Sequence, residues 1–228
     1  MSWKSSAQLG DDGKAIIENF PIQYSSEIPL DGYGLSEKEI DAVQRYRSSS
    51  VKAAVFTTEK LFVVNANPQL NKDSFRFTDR KDDAYPYFTR TVTNNGIAGY
   101  VEYLDEDHKI AGNSIAVGML QNLFFYMDRD FYAGQFTKNL VPRFKGFNEA
   151  IAKYFIAWFN KSSVVYCSVL VRDFEKYVNS TKLTLPVTET GEVDFEFIEN
   201  FMKAQEKILL KDMESFWVMK LNLIKKMG

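Results

Sequence analysis

Residues that commonly carry catalytic or metal chemistry are few in this sequence, which contains one histidine and one cysteine. His108 lies in the charged run Asp105 to Lys109, which indicates a solvated turn, and Cys167 follows Val164-Val165-Tyr166, which indicates a small buried side chain. A zinc site needs clustered Cys and His ligands, and a nucleophilic triad needs a histidine beside its nucleophile. The sequence therefore predicts no metal site and no histidine-dependent triad.

Nucleotide and cofactor chemistry also lacks a recognisable motif. Gly96-Ile97-Ala98-Gly99 has neither the spacing nor the terminal Lys-Ser/Thr of a phosphate-binding loop. Asn67-Pro68-Gln69 shares two residues with the Asn-Pro-Pro-aromatic motif of adenine methyltransferases, but the rest of that motif is missing, so we predict a turn. We predict a non-catalytic protein without a cofactor. A hydrolase that uses scattered carboxylates is an alternative that the residues leave open.

The charge of the chain is unevenly distributed. Its formal net charge of −2 is unlike that of a typical nucleic-acid-binding protein. Residues 51–188 nevertheless carry 17 basic and 14 acidic side chains (+3), whereas residues 1–50 carry 5 and 8 (−3) and residues 189–228 carry 6 and 8 (−2). The N-terminus lacks the apolar run of a signal peptide, and no apolar stretch reaches the roughly 18–20 residues that span a bilayer. We expect a cytoplasmic protein.

The elements that would position a site form a β-rich middle part. Short strand-like runs separated by turn clusters extend from Val51 to about Leu140, and Asn94-Asn95-Gly96 between two of them is a hairpin signal. The predicted strands are Ala53–Thr57, Leu61–Val64, Ser74–Phe77, Tyr87–Thr93, Ile97–Tyr103, Ile115–Met119, Leu123–Met127 and Lys182–Leu185. These runs predict a mixed or antiparallel sheet in an α+β fold.

Helices are predicted before and after these strands. Ser36 and Glu39 form a capping box that predicts a short helix ending near Ser48. Asn148 is predicted to cap a second helix, whose apolar face from Phe147 to Phe159 packs on the sheet.

The C-terminal segment predicts a helix of about 33 residues, a rod of roughly 50 Å. Asp194 is its predicted N-cap. Its apolar residues recur at near-heptad spacing, which favours a partner helix, although packing on the protein's own sheet is the alternative. The predicted dimerisation residues are Phe197, Ile198, Phe201, Met202, Ile208, Leu209, Met213, Phe216 and Trp217.

Four stretches between about Val55 and Met213 carry a family resemblance. They are Phe56 with Leu61–Val64, then Tyr87–Ile97, then Gly112–Gly118 with Phe125–Met127 and Phe131-Tyr132, and last Lys182–Val187 with Gly191–Phe195 and Ile198-Glu199. In this order they resemble the specificity subunits of type I and BcgI-like type IIB restriction-modification systems. The resemblance implies a β-rich target recognition domain followed by a long helix.

The resemblance also implies an organisation and a function. Residues 1–50 would be a leader with a short helix, residues 51–188 the DNA target recognition domain, and residues 189–228 the spacer or dimerisation helix. A full specificity subunit has two recognition domains and two helices, so this sequence resembles half of one. It would read a half-site of a bipartite target and form a homodimer through its helix.

The partners implied by the resemblance are double-stranded DNA, a DNA methyltransferase subunit that holds S-adenosylmethionine and methylates adenine, and in some systems a restriction subunit. The alternative is a stand-alone dimeric interaction protein or decoy specificity subunit that does not support methylation.

Two segments contain the predicted DNA-binding residues. Base reading needs directional donors and acceptors on loops, while Lys and Arg contact phosphates. The candidates are Arg90, Thr91, Thr93, Asn94 and Asn95 in the predicted hairpin, and Gln135, Thr137, Lys138, Asn139, Arg143 and Lys145 in a predicted loop. Plain turn chemistry for Asn94 to Gly96, and a solvated loop for the three cations, are the alternatives.

Overall fold

The computed structural model describes residues 30–119, 121–167 and 171–227. The leader predicted at the N-terminus therefore lies outside the described residues as far as residue 29. The chain forms two compact units. Residues 55–183 make the central unit, and the segments before and after them make the flanking unit.

The helices and strands follow one another in an α+β order. The first are α1 (Glu37–Arg47), β1 (Ala53–Thr57), α2 (Thr58–Leu61), β2 (Phe62–Ala66), β3 (Phe77–Thr78), β4 (Tyr85–Phe88), β5 (Ile97–Val101), β6 (Ser114–Gly118), β7 (Leu123–Met127), β8 (Tyr132–Ala133) and β9 (Thr137–Pro142). Then come α3 (Glu149–Lys161), α4 (Ser163–Cys167), α5 (Phe174–Ser180), β10 (Lys182–Pro186) and α6 (Phe195–Met227). The predicted α+β class is confirmed.

Two four-stranded sheets build the central unit. One is antiparallel in the order β2-β9-β6-β7, and the other has the order β3-β5-β4-β8, in which β4 and β8 run parallel. β1 pairs with β10 in a separate two-stranded sheet. The sequence predicted a mixed or antiparallel sheet, and the structure has both kinds.

A cluster of aromatic rings joins α3 to the antiparallel sheet. Phe62 of β2 meets Phe155 edge to face at 4.9 Å between ring centroids, and Phe124 of β7 stacks on Phe159 at 4.9 Å. Asn148 caps α3, since its side chain accepts a hydrogen bond from the Ile151 amide at 3.1 Å. The predicted cap and the predicted packing of this helix on the sheet are confirmed.

The segment predicted as a loop at residues 135–145 is mostly strand β9, so that prediction is wrong. β9 lies between β2 and β6, with Lys138 opposite Ala66 on one side and Val117 on the other. Thr137 and Asn139 of this strand are polar but buried, at 0% and 5% exposure, and Lys138 between them is half-buried. The polar composition of this segment therefore hid the strand.

In the described part of the flanking unit, α1 packs against the first half of α6. Ser36 and Glu39 form the predicted capping box, and Asp194 caps α6 by accepting a hydrogen bond from the Phe197 amide at 2.9 Å. Tyr46 of α1 contacts Phe201 of α6 with 4.8 Å between ring centroids. The apolar side of α6 is buried as far as Ile208, whereas residues 209–222 are all exposed. Among the described residues, burial of α6 thus stops at Ile208, and beyond it Asp212 accepts a hydrogen bond from the Tyr33 hydroxyl at 2.9 Å.

Cys167 is exposed, so the prediction of a buried thiol is wrong. Its Sγ accepts a hydrogen bond from Asn122 Nδ2 at 3.3 Å. Within the described residues, no helix is long and apolar enough to cross a membrane.

Candidate nucleic-acid interface

Three segments that are distant in sequence meet at one end of the parallel β4-β8 pair. The Gly134 amide donates to the Phe88 carbonyl at 2.9 Å, and Gln69 forms an isolated parallel bridge with Ala133. The Thr89 amide donates to the Gly96 carbonyl at 2.8 Å, which closes the connection from β4 to β5. The segments 67–71, 89–96 and 134–137 are therefore neighbours.

Five side chains from these segments form what we term the Arg90–Phe136 cluster. Its members are Gln69, Asn71, Arg90, Gln135 and Phe136. Gln69 Oε1 accepts a hydrogen bond from the Phe136 amide at 2.8 Å, and Gln135 Nε2 donates to Asn71 Oδ1 at 2.8 Å. The Phe136 carbonyl accepts a hydrogen bond from the Met119 amide at 3.0 Å. The backbone at the centre of the cluster is thus held from both sides.

Phe136 has an unusual backbone conformation for an aromatic residue. Its φ is +57°, in the left-handed region that bulky side chains rarely adopt, and its side chain is 44% exposed. The Arg90 guanidinium lies over its ring at 5.2 Å from the centroid. Within the described residues, the Arg90 guanidinium forms no ion pair and no hydrogen bond, and its contact is with the Phe136 ring. The cluster therefore displays an aromatic ring and, over it, a cation that has no ion-pair partner among the described residues.

The turn at Asn94 to Gly96 has the backbone conformation that its residues favour. Asn94, Asn95 and Gly96 have φ values of +48°, +53° and +79°. A Cβ on Gly96 would lie 2.2 Å from the Phe88 ring, so glycine is required for space as well as for φ. Thr91 and Thr93 are joined through their hydroxyls at 3.0 Å. The tolerance of Asn and Gly for positive φ thus explains the backbone conformation of this turn. The side chains of residues 92–95 are exposed.

The second predicted group of DNA-binding residues is split by β9. Thr137 and Asn139 are buried, at 0% and 5% exposure, and are not available to a ligand. Lys138 pairs with Glu175 at 3.3 Å, and the Arg143 guanidinium donates to the carbonyls of Glu59 and Phe62. Of this group, only Gln135 lies in the Arg90–Phe136 cluster, because Arg143 and Lys145 follow the far end of the strand.

Sequence reasoning missed Gln69, Asn71 and Phe136. The motif Asn67-Pro68-Gln69 was visible in the sequence, but it predicted only a turn and not a functional residue. Asn67 is buried and donates to the Thr137 hydroxyl at 3.0 Å, so it fixes the segment that carries Gln69. The pairing of this segment with residues 134–137 is a tertiary contact that no local pattern reveals.

The three converging segments and their neighbours are free of carboxylates. Residues 60–72, 84–101 and 131–148 contain no Asp or Glu. Their cations are Lys60, Lys72, Arg90, Lys138, Arg143 and Lys145. Lys138 is neutralised by Glu175 at 3.3 Å, so the local positive charge comes from the other five cations, of which Arg90 lies in the Arg90–Phe136 cluster. Local positive charge of this kind suits a polyanion.

Catalytic and metal chemistry is not evident in the described part of the chain. No group of three or more His, Cys, Asp or Glu side chains there could hold a metal ion. His108 Nδ1 lies 2.9 Å from the Asp105 carboxylate, in a partly exposed turn. Hydrogen bonds from the His108 backbone and ring help to hold the pKa of Asp105 below its usual value.

The predicted dimerisation residues fall into two groups. Phe197, Ile198, Phe201, Met202 and Ile208 are buried in the flanking unit. Leu209, Met213, Phe216 and Trp217 are each about half exposed, at 55%, 50%, 53% and 53%. Only the second group presents an apolar surface that a partner could cover.

A β-rich unit, a long helix with an exposed apolar half and a cluster of polar side chains around an exposed aromatic ring are features of a binding protein. The family model for the type I restriction modification DNA specificity domain matches residues 51–213. The chain belongs to this family, whose description implies recognition of a DNA sequence, and whose specificity domains are in general non-catalytic. A comparison with curated proteins finds none that matches.

One solved structure with a TM-score above 0.5 has a similar fold, and two others are similar at a lower score. A structure of the type I R-M system, described by its complex assembly and conformational transition, aligns with a TM-score of 0.51 and 10% identity, over 82% of this chain and 50% of that chain. The S subunit from M. genitalium aligns with a TM-score of 0.49 and 14% identity, over 94% and 54%. The HsdS subunit from Thermoanaerobacter tengcongensis gives 0.49 and 8%, over 87% and 43%. The chain therefore spans about half the length of these proteins.

Proposed function

We propose that this chain is a sequence-specific DNA-binding specificity subunit that reads one half-site of a bipartite target and positions a separate adenine methyltransferase on it. The observation that carries the proposal is the family match over residues 51–213, which includes the central unit and the first half of α6. The methyltransferase would hold S-adenosylmethionine and carry out the reaction.

The exposed half of α6 supports assembly through this helix. At about 100° per residue, the residues of α6 that are buried in the flanking unit and the exposed apolar residues Leu209, Met213, Phe216 and Trp217 are centred roughly a quarter of a turn apart. The exposed stripe therefore adjoins the buried face and partly continues it along the helix. A face of this kind, with half-exposed aromatic side chains, is stabilised when another helix covers it.

The charges on the exposed half of α6 favour a second copy in antiparallel orientation. Lys211, Asp212 and Glu214 precede Trp217, and Lys220 follows it; within one chain Glu214 pairs with Lys211 at 2.8 Å. Antiparallel pairing centred on Trp217 brings Glu214 of one copy opposite Lys220 of the other, whereas parallel pairing aligns like charges. Two copies related by a two-fold axis would read two half-sites at a spacing set by the helices.

The proposal is tested by co-expressing the chain with each adenine methyltransferase subunit that its host genome encodes. We expect the two proteins to co-purify, and modification-aware sequencing of the host genome to lose one methylated bipartite motif when the gene is deleted. A dimer that binds no methyltransferase and whose deletion changes no methylated motif would favour the decoy alternative and would contradict the proposal.

A further inference from the structure

Phe136 is exposed, strained and rigidly held at the same time, and this combination is costly for a surface aromatic residue. A left-handed conformation costs a non-glycine residue stability, and such strain persists only where the surroundings enforce it. Here the surroundings are Gln69, which accepts from the Phe136 amide, and Met119, which donates to its carbonyl. The exposed ring recovers little of this cost by burial, because 44% of the residue remains in contact with solvent.

The groups around the ring suit a nucleic-acid duplex. Arg90 stacks over Phe136 and is free to contact a phosphate, while Gln69, Asn71 and Gln135 supply amides of the type that read base edges. Proteins that kink DNA insert a rigid apolar side chain between two base pairs and neutralise the flanking phosphates. A wedge must be held firmly, because unstacking the bases opposes its entry.

We propose that Phe136 is a wedge that enters a base step of the DNA target, with Arg90 placed to neutralise a phosphate beside the opened step. The ring unstacks one base step, and the amides of Gln69 and Gln135 lie where the adjoining base edges pass. This inference rests on the proposed DNA-binding function and adds a distortion of the duplex at one defined position.

The experiment begins with the full chain and a pool of duplexes that contain a randomised region. At low salt, where phosphate contacts are strongest, the chain should enrich one sequence from the pool. Duplexes of that sequence, each with 2-aminopurine at a different position, then report unstacking as a rise in fluorescence. We expect the rise at one base step.

Variants of the wedge and of a matched residue complete the experiment. Phe136→Asn keeps a residue that tolerates positive φ, and we expect it to lose the fluorescence rise and to bind the enriched duplex about 5- to 100-fold more weakly. Phe136→Tyr keeps the ring and should keep the rise. Phe77 is also an exposed aromatic with a cation over its ring, Lys72 at 5.1 Å, so Phe77→Ala serves as the control and should leave both readouts unchanged.

The outcomes separate the two proposals. Enrichment of a sequence without a fluorescence rise at any position, or a rise that persists in Phe136→Asn, would overturn the wedge and leave DNA reading intact. Failure to enrich any sequence would overturn the proposed function and the wedge with it.

Discussion

Among single residues, Phe136 pays a backbone strain energy for its positive φ, so we predict that its side chain contributes little to the free energy of unfolding. Replacing it by asparagine should relieve about 1–2 kcal/mol of backbone strain, while it removes a cation–π contact worth about 0.5–1 kcal/mol and some apolar contact. We therefore expect the free energy of unfolding of Phe136→Asn, measured by urea titration, to stay within about 1 kcal/mol of the parent.

The control for this prediction is Phe77→Asn. Phe77 lies in β3, packs edge to face on Tyr87 at 5.6 Å between ring centroids, and has no left-handed backbone. Because asparagine is unfavourable in strands, we expect this variant to lose about 1–2 kcal/mol. If Phe136→Asn lowered the free energy of unfolding by more than about 2 kcal/mol, the Phe136 side chain would stabilise the fold and the prediction would be wrong.

Glu39 gives a second prediction at this scale, since it is a buried carboxylate that joins α1 to α6. Burial raises the pKa of Glu39, but the hydrogen bonds from Lys207 and from the Ser36 amide outweigh it and hold the pKa below its usual value. The Lys207 Nζ to Glu39 Oε2 distance is 2.8 Å. Glutamine at this position keeps the capping box but loses the charge, so Glu39→Gln should cost about 1–2 kcal/mol at pH 7.

The pH dependence of this cost follows from the direction of the pKa shift. Because folding lowers the pKa of Glu39, its contribution is fully present above the ordinary glutamate pKa and is lost as the pH falls through the lower value in the folded protein. The difference between parent and Glu39→Gln, measured by urea titration, should therefore shrink as the pH is lowered into the acid range. Glu37→Gln, an exposed change in the same helical turn, should change stability by no more than about 0.5 kcal/mol. A pH-independent difference for Glu39→Gln would contradict the assignment.

At the scale of elements, the exposed half of α6 should control self-association without contributing to the fold. Met213→Glu with Trp217→Glu places two charges in the apolar stripe, and we expect this variant to be monomeric at concentrations at which the parent is a dimer, as measured by sedimentation velocity. The free energy of unfolding of this variant should change little, because Met213 and Trp217 are both about half exposed in the single chain.

The matched control places the same charges on the opposite face of the same helix. Ser215→Glu with Asn222→Glu lies about half a turn away from the stripe at 3.6 residues per turn, and it should leave the dimer intact. If both double variants dimerise as the parent does, the exposed stripe is not the assembly surface.

The elements that the sequence predicted well are those whose signals are local. The caps at Ser36, Asn148 and Asp194 are side-chain hydrogen bonds within three residues, so their motifs are visible in a short window. β9 was missed because its pairing with β2 and β6 comes from distant segments. Three of the five members of the Arg90–Phe136 cluster were missed for the same reason, since Gln69 and Phe136 are 67 residues apart in sequence and meet through tertiary contacts.

At the scale of the whole molecule, a net charge of −2 and a DNA-binding function are compatible because of where the charges lie. The flanking unit contains the acidic excess, and residues 60–72, 84–101 and 131–148 of the central unit contain six cations and no carboxylate. Association with DNA depends on local phosphate contacts and the counterions they release, so it follows the local rather than the net charge.

Salt dependence tests this separation of charge, and Lys145 is a suitable residue for the test because it is exposed and follows the carboxylate-free strand β9. Each cation that contacts a phosphate contributes about 0.9 to the slope of log affinity against log salt. Lys145→Gln should therefore weaken binding to every sequence alike and reduce the slope by about 1, as measured by fluorescence anisotropy on a labelled duplex. Lys176→Gln removes an exposed cation of α5 outside the three segments and should leave the slope unchanged. An equal slope for Lys145→Gln and the parent would exclude Lys145 from phosphate contact and place the duplex elsewhere on the central unit.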